Sequence, residues 1–217
     1  MRSVDKEAII SIFQKMEDEG LRYILIRNIN HELPSNLKLG KDIDILVDKS
    51  DLKNWARFFN HNEYRITPHP HAANIFLYGV DKFQMYANKA NSVLFDLHFQ
   101  LVVRSLDAGQ WIPLDETIQR SAWENMRFYR DETGLMYWTL GFEDELVALI
   151  ARSVFDKRRF EEGYTQRIGE LFTLTDTFAM LERLEKVFFK FTPFLWCLLE
   201  TKQYDEIVKK HLEFRGY

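Results

Sequence analysis

Lys41-Asp42-Ile43-Asp44-Ile45-Leu46-Val47 alternates acid with apolar residue and then turns wholly apolar. On an extended strand, residues two apart point to the same side. Asp42 and Asp44 therefore project together while Ile43 and Ile45 enter the opposite, apolar face. Two carboxylates this close repel each other and raise each other's pKa unless a cation neutralises them, so a divalent metal is their natural partner. Asp96 repeats the theme in Leu94-Phe95-Asp96-Leu97-His98-Phe99, an isolated acid framed by apolar neighbours on a later strand. It is the candidate third ligand. His98 shares its face and reads equally as a cleft-lining residue or as a structural histidine. Any strand with one wet face also shows acid-apolar-acid alternation, so the flanking pattern has to carry the reading.

Upstream, Ile9, Ile10, Phe13 and Met16 recur at helical spacing, predicting a helix from about Asp5 to Glu19 that stops at Gly20. Tyr23-Ile24-Leu25-Ile26 predicts a buried strand, and Asn28 to Lys41 a loop containing Pro34, Ser35, Asn36 and Gly40. Downstream of a strand at Ile43 to Val47, Ser50 is the expected N-cap of a helix through Leu52, Trp55, Phe58 and Phe59. Strand-like runs follow at 64–66, 74–78, 83–87 and 93–102, and Asp131-Glu132-Thr133-Gly134 predicts a hairpin turn. From Phe142 the apolar period becomes helical and stays so through Leu212. The expectation is an α+β fold, with a mixed sheet and flanking helices over residues 1–135 and a helical C-terminal domain over 136–217.

With its order of elements, the segment Tyr23-Ile24-Leu25-Ile26-Arg27-Asn28, a loop holding Leu33-Pro34, then Gly40-Lys41-Asp42-Ile43-Asp44-Ile45-Leu46-Val47 resembles the core of the nucleotidyltransferase superfamily. The likeness spans roughly the first hundred residues and is nearest to bacterial nucleotidyltransferase-like proteins. Phe142-Glu143-Asp144-Glu145 and Phe155-Asp156-Lys157 extend it weakly. The resemblance implies transfer of a nucleoside monophosphate from a nucleoside triphosphate to a small-molecule or other non-polymeric acceptor, with pyrophosphate leaving. It implies that Asp42, Asp44 and Asp96 are the catalytic, metal-holding acids, with Mg²⁺ or Mn²⁺ as the ion. Arg27, Asn28 and Lys41 are then the residues nearest the nucleotide. The superfamily places Gly-Ser in the turn after the first strand, where backbone N–H groups and a hydroxyl meet the triphosphate; this chain has Arg27-Asn28. That departure leaves a second reading, a catalytically inactive relative that binds a ligand or a protein in the same cleft.

Composition narrows the rest. Among 217 residues, 46% are hydrophobic, with only 9 Gly and 5 Pro, which excludes disordered and collagen-like chains. A formal net charge of −4 argues against a long nucleic acid as substrate. The acids in Met1-Arg2-Ser3-Val4-Asp5-Lys6-Glu7 are unlike a signal peptide, and no apolar run is long enough to span a membrane, so a cytoplasmic protein is expected. The single cysteine, Cys197, lies in an apolar run and is expected to be buried. His69 and His71 alternate with prolines and read as surface loop residues. No Gly-X-Ser-X-Gly, glycine-rich phosphate loop or Cys-X-X-Cys is present.

Overall fold

The computed structural model describes residues 3–68, 80–81, 83–90, 92–106 and 110–216, Asn30 without its side chain. The expected strand at 74–78, His69 and His71 lie outside the described residues. In chain order the elements are α1 (Lys6–Asp18), β1 (Tyr23–Leu25), β2 (Asp42–Val47), α2 (Leu52–His61), β3 (Arg65–Thr67), β4 (Gln84–Ala87), β5 (Leu94–His98), β6 (Val102–Arg104) and β7 (Trp111–Pro113). They continue with α3 (Glu116–Glu124), β8 (Arg127–Arg130), β9 (Met136–Thr139), α4 (Phe142–Ala151), α5 (Glu162–Phe172), α6 (Thr177–Phe188), α7 (Thr192–Glu200) and α8 (Tyr204–Glu213). Two compact units divide the chain: Met1–Leu101 with Asn125–Leu140, and Val102–Glu124 with Gly141–Tyr217.

The first unit is built on a seven-stranded sheet in the order β3-β4-β5-β2-β1-β9-β8. It is a mixed sheet, as the sequence predicts: β2 with β5 and β1 with β9 are parallel pairs, and the other neighbours are antiparallel. Asp5 accepts from the Glu7 N–H and caps α1, and Gly20 follows its end at φ +64°, a left-handed conformation that side chains resist. The predicted hairpin forms because Asp131 Oδ1 gathers the N–H groups of Thr133 and Leu135, both at 2.9 Å, while Gly134 takes φ +88°. At the start of α2 the expectation is corrected. Ser50 is not the N-cap: that position of α2 is Asp51, which makes no side-chain capping bond, and it is the short 3₁₀ turn before the helix, Lys49–Asp51, that is capped, by Asp48 Oδ1 accepting the Ser50 N–H at 2.8 Å.

Helices α1 and α2 cover one face of this sheet. Ile9, Ile12, Phe13 and Met16 from α1 and Trp55, Phe58 and Phe59 from α2 form one buried cluster with Tyr23, Leu25, Ile43, Ile45, Val47, Tyr86, Phe95 and Leu97. Strand registers explain why these residues meet: Ile43 lies opposite Phe95, Ile45 opposite Leu97, and Leu25 opposite Ile45. Phe59 is its hub, stacked on Tyr86 at 4.4 Å and 5.3 to 5.6 Å from the rings of Tyr64, Phe95, Trp55 and Phe58. Part of the heavy aromatic load of the sequence is thus core, while Phe128, Tyr129, Phe178, Phe189 and Phe194 are exposed. Burying Ile43 and Ile45 here forces Asp42 and Asp44 to the other side of the sheet.

The second unit joins the β6–β7 ribbon to α3 and to the C-terminal helices. The expected single strand at 93–102 is interrupted after His98, and Val102–Arg104 pairs instead with Trp111–Pro113. Both acidic motifs singled out in the sequence have structural partners in this unit. Asp156, on the π-helical turn Arg152–Lys157, accepts the Arg104 N–H at 2.7 Å and pairs with Arg152 at 3.1 Å. Glu145 takes a two-pronged pair from Arg167 at 2.7 and 2.8 Å. Cys197 is exposed, contrary to expectation. On α7 the core side belongs to Leu195, Trp196, Leu198 and Leu199, and the helical phase turns Cys197 outward with Phe194 and Glu200. No helix among the described residues is long and apolar enough to cross a membrane.

Asp144 is buried on α4, where it accepts from Ser121 Oγ at 2.8 Å and Arg183 Nε at 3.3 Å. Burial nevertheless raises its pKa, with the Ser121 hydrogen bond and the Arg183 charge opposing it only in part. A raised folded-state pKa means that Asp144 favours folding most below its unfolded value, and that this contribution is lost as pH rises through the folded value. Asp144→Asn is therefore expected to gain stability relative to the parent as pH rises above the ordinary aspartate value of about 4, as read by urea midpoints. A difference that stays flat with pH would contradict this account.

Candidate functional site

The acid face of the sheet is organised by the pairing of β2 with β5. Parallel register sets Asp42 opposite Leu94, Asp44 opposite Asp96 and Leu46 opposite His98. Neighbouring strands lie about 4.8 Å apart, whereas residues two apart on one strand are separated by about 6.7 Å. Asp96 is for that reason nearer to Asp44 than Asp42 is. Among the described residues, the group whose donor atoms all lie within 4.8 Å of one another is Asp44, Asp96 and His98. The expected triad of Asp42, Asp44 and Asp96 shares one face, but the tight cluster takes in His98 and leaves Asp42 one step along the strand.

His98 Nε2 stands 3.3 Å from Asp44 Oδ1 and 3.4 Å from Asp96 Oδ2. Both His98 and Asp96 are buried, at 5% exposure each, and the His98 ring lies 4.2 Å from the ring of Phe83. Asp44 is half-buried, and its Oδ1 also pairs with Arg27 Nη2. The backbone brings them together, because the Ile26 N–H donates to the Asp44 carbonyl at 3.1 Å and delivers Arg27 just past the end of β1.

Asp42 and His98 are both shifted toward the protonated form. Asp42 has its pKa raised, first by burial and then by the charges of Asp44 and Asp96, with its own backbone N–H and Arg27 opposing. For His98, burial alone would lower the pKa, yet hydrogen bonds and charge from Asp44 and Asp96 outweigh it and the pKa is raised. Both groups hold protons more tightly than usual, Asp42 chiefly because it is buried and His98 because two carboxylates face it. Three carboxylates and an imidazole converging on one sheet face fit a divalent cation by donor chemistry.

The other predicted residues are placed differently. Asn28 is tied down at both ends: its Oδ1 accepts the Leu33 N–H at 3.0 Å, and its Nδ2 donates to the Tyr137 hydroxyl at 3.2 Å. Tyr137 was invisible to sequence reading because it lies 109 residues away on β9. Lys41 pairs with Glu32 on the preceding loop and does not join the acid cluster.

No family model matches this sequence, and no curated protein matches it. Among solved structures, the chain is similar to a lincosamide antibiotic adenylyltransferase, LnuA, in its lincomycin-bound crystal structure. The likeness covers 80% of this chain and 100% of that one, at 12% identity and a TM-score of 0.47. At that level neither the chemistry nor the substrate of LnuA follows for this chain.

Proposed function

We propose that the first unit carries out metal-dependent transfer of a nucleoside monophosphate from a nucleoside triphosphate to a small-molecule or other non-polymeric acceptor. The observation that carries this reading is the register of β2 and β5, which sets Asp44 and Asp96 side by side on one sheet face with Asp42 next along the strand and Arg27 against them. Asp42, Asp44 and Asp96 would hold Mg²⁺ or Mn²⁺, which when bound supplies positive charge against the triphosphate and the leaving pyrophosphate. Arg27 and the cation compete for the same Asp44 oxygen. A guanidinium released from Asp44 is well suited to phosphate oxygens, which it can grip with two N–H groups at once. In the transfer itself the acceptor oxygen bonds to the α-phosphorus, the α–β bridging bond breaks, and pyrophosphate departs with that electron pair. Asp96 either completes the ligand set or accepts the proton of the acceptor hydroxyl. Lys41, held by Glu32, would touch the nucleotide only after leaving that partner.

The anchoring of Asn28 supports a second reading. With both polar ends of its side chain engaged and no Gly-Ser turn, the segment after β1 offers a triphosphate fewer free donors than the superfamily pattern. A non-catalytic module that binds a ligand or a protein would keep the acid cleft without turnover. Pyrophosphate release across a panel of triphosphates and small hydroxyl acceptors separates the two. Turnover that needs divalent metal and is lost in Asp44→Asn establishes transfer, and tight nucleotide binding without release across the panel establishes the binding module.

A further inference from the structure

Resting on the metal-site reading above, we propose that His98 is itself an ion ligand, and that the cluster of Asp44 Oδ1, Asp96 Oδ2 and His98 Nε2 takes a first-row transition dication in preference to Mg²⁺. One ring nitrogen faces both carboxylates, at 3.3 and 3.4 Å. Ligands at right angles around a six-coordinate ion with bonds of about 2.1 Å lie about 3 Å apart, and opposed ligands about 4.2 Å apart. Donor atoms all within 4.8 Å of one another therefore need only small side-chain adjustments to share an ion.

The imidazole is also fixed in advance. His98 closes β5, is buried, and rests against the ring of Phe83, so little rotamer freedom remains to be lost on binding. A histidine serving only as a hydrogen-bond bridge between two acids would leave ion choice to the carboxylates, and hard oxygen ligands suit Mg²⁺. A nitrogen donor moves the preference, because Mg²⁺ dehydrates reluctantly and favours oxygen, whereas imidazole suits transition metals. Two carboxylates and one imidazole on one side of an ion leave its remaining positions for water and phosphate oxygens.

The test uses the full chain and Mn²⁺ alone. Electron spin-echo spectroscopy is expected to show coupling from a directly bound imidazole nitrogen, and the pattern is expected to change when the protein is made with isotope-labelled histidine. In His98→Gln that coupling disappears and Mn²⁺ binding weakens by about tenfold or more, while Mg²⁺ binding changes far less. Bound Mn²⁺ that depends on Asp44 but shows no bound nitrogen overturns the ligand role of His98 and leaves nucleotidyl transfer standing. Coupling that persists in His98→Gln overturns it as well, since another histidine would be the source. Failure to bind either ion, with or without triphosphate, overturns both this inference and the function it rests on. Should His98→Gln not fold, the labelled parent protein decides the matter by itself.

Discussion

Asp44→Asn is expected to abolish metal-dependent triphosphate binding and to cut any pyrophosphate-releasing turnover by about a thousandfold, while the protein stays folded. Metal-borne charge stabilisation is worth several kcal/mol, and about 4 kcal/mol corresponds to a thousandfold in rate. Asp44 is the acid through which every other member of the site is connected: Asp96 lies opposite it, His98 and Arg27 both reach its Oδ1, and the pKa of Asp42 responds to its charge. Asparagine keeps an oxygen in that position for Arg27 and His98 while removing one charge from a crowded negative face, so the fold is not asked to bear the loss. Isothermal calorimetry with Mg²⁺ and triphosphate reads the binding, and a thermal melt reads the fold. Unchanged binding in a folded variant would reject the role given to Asp44.

Phe59→Ala is expected to cost about 3–5 kcal/mol of stability, the range for deleting a large aromatic from a packed core. Phe59 is fully buried and touches five other aromatic rings, from α2 (Trp55 and Phe58), from Tyr64 and from the sheet (Tyr86 and Phe95). These contacts come from separate parts of the chain, so the vacated space cannot close by a local shift. The consequence extends to function, because the same packing holds Phe95 beside Asp96 and Ile43 between Asp42 and Asp44. Urea unfolding measures the loss, and a cost below about 1 kcal/mol would show that the cluster is not the main support of this sheet.

Much of this architecture is legible in local sequence because local physics sets it. Period-two alternation at Asp42 to Ile45 places acids and isoleucines on opposite faces, and the turn chemistry of Asp131 to Gly134 makes the hairpin, both without long-range help. What sequence reading missed depends on partners far along the chain. Nothing between 93 and 102 signals that the strand stops after His98, since the residues remain strand-like and the break is set by Val102–Arg104 finding Trp111–Pro113. Ser50 resembles a cap as much as Asp48 does, and only the backbone path decides which one accepts. Cys197 lies in an apolar run, yet one helical turn has an outer side even there.

The site divides along the same line. That Asp42, Asp44 and Asp96 occupy one face follows from periodicity. Which of them come closest follows from register, and a parallel pairing between strands fifty residues apart has no local signature. His98 therefore joins Asp44 and Asp96 in the tight cluster, while Asp42 stands one step off. Asn28 gives the same lesson in reverse, a turn residue with an apparently free amide whose two ends are taken by Leu33 and Tyr137.

The most direct measurement is anomalous scattering from Mn²⁺ in crystals soaked with a non-hydrolysable nucleoside triphosphate. The account predicts a peak within bonding distance of the carboxylates of Asp44 and Asp96, with the phosphates alongside and Arg27 turned toward them. A triphosphate bound elsewhere on the protein, or an acid cluster that stays empty of metal at saturating Mn²⁺ with Arg27 still on Asp44, would contradict it.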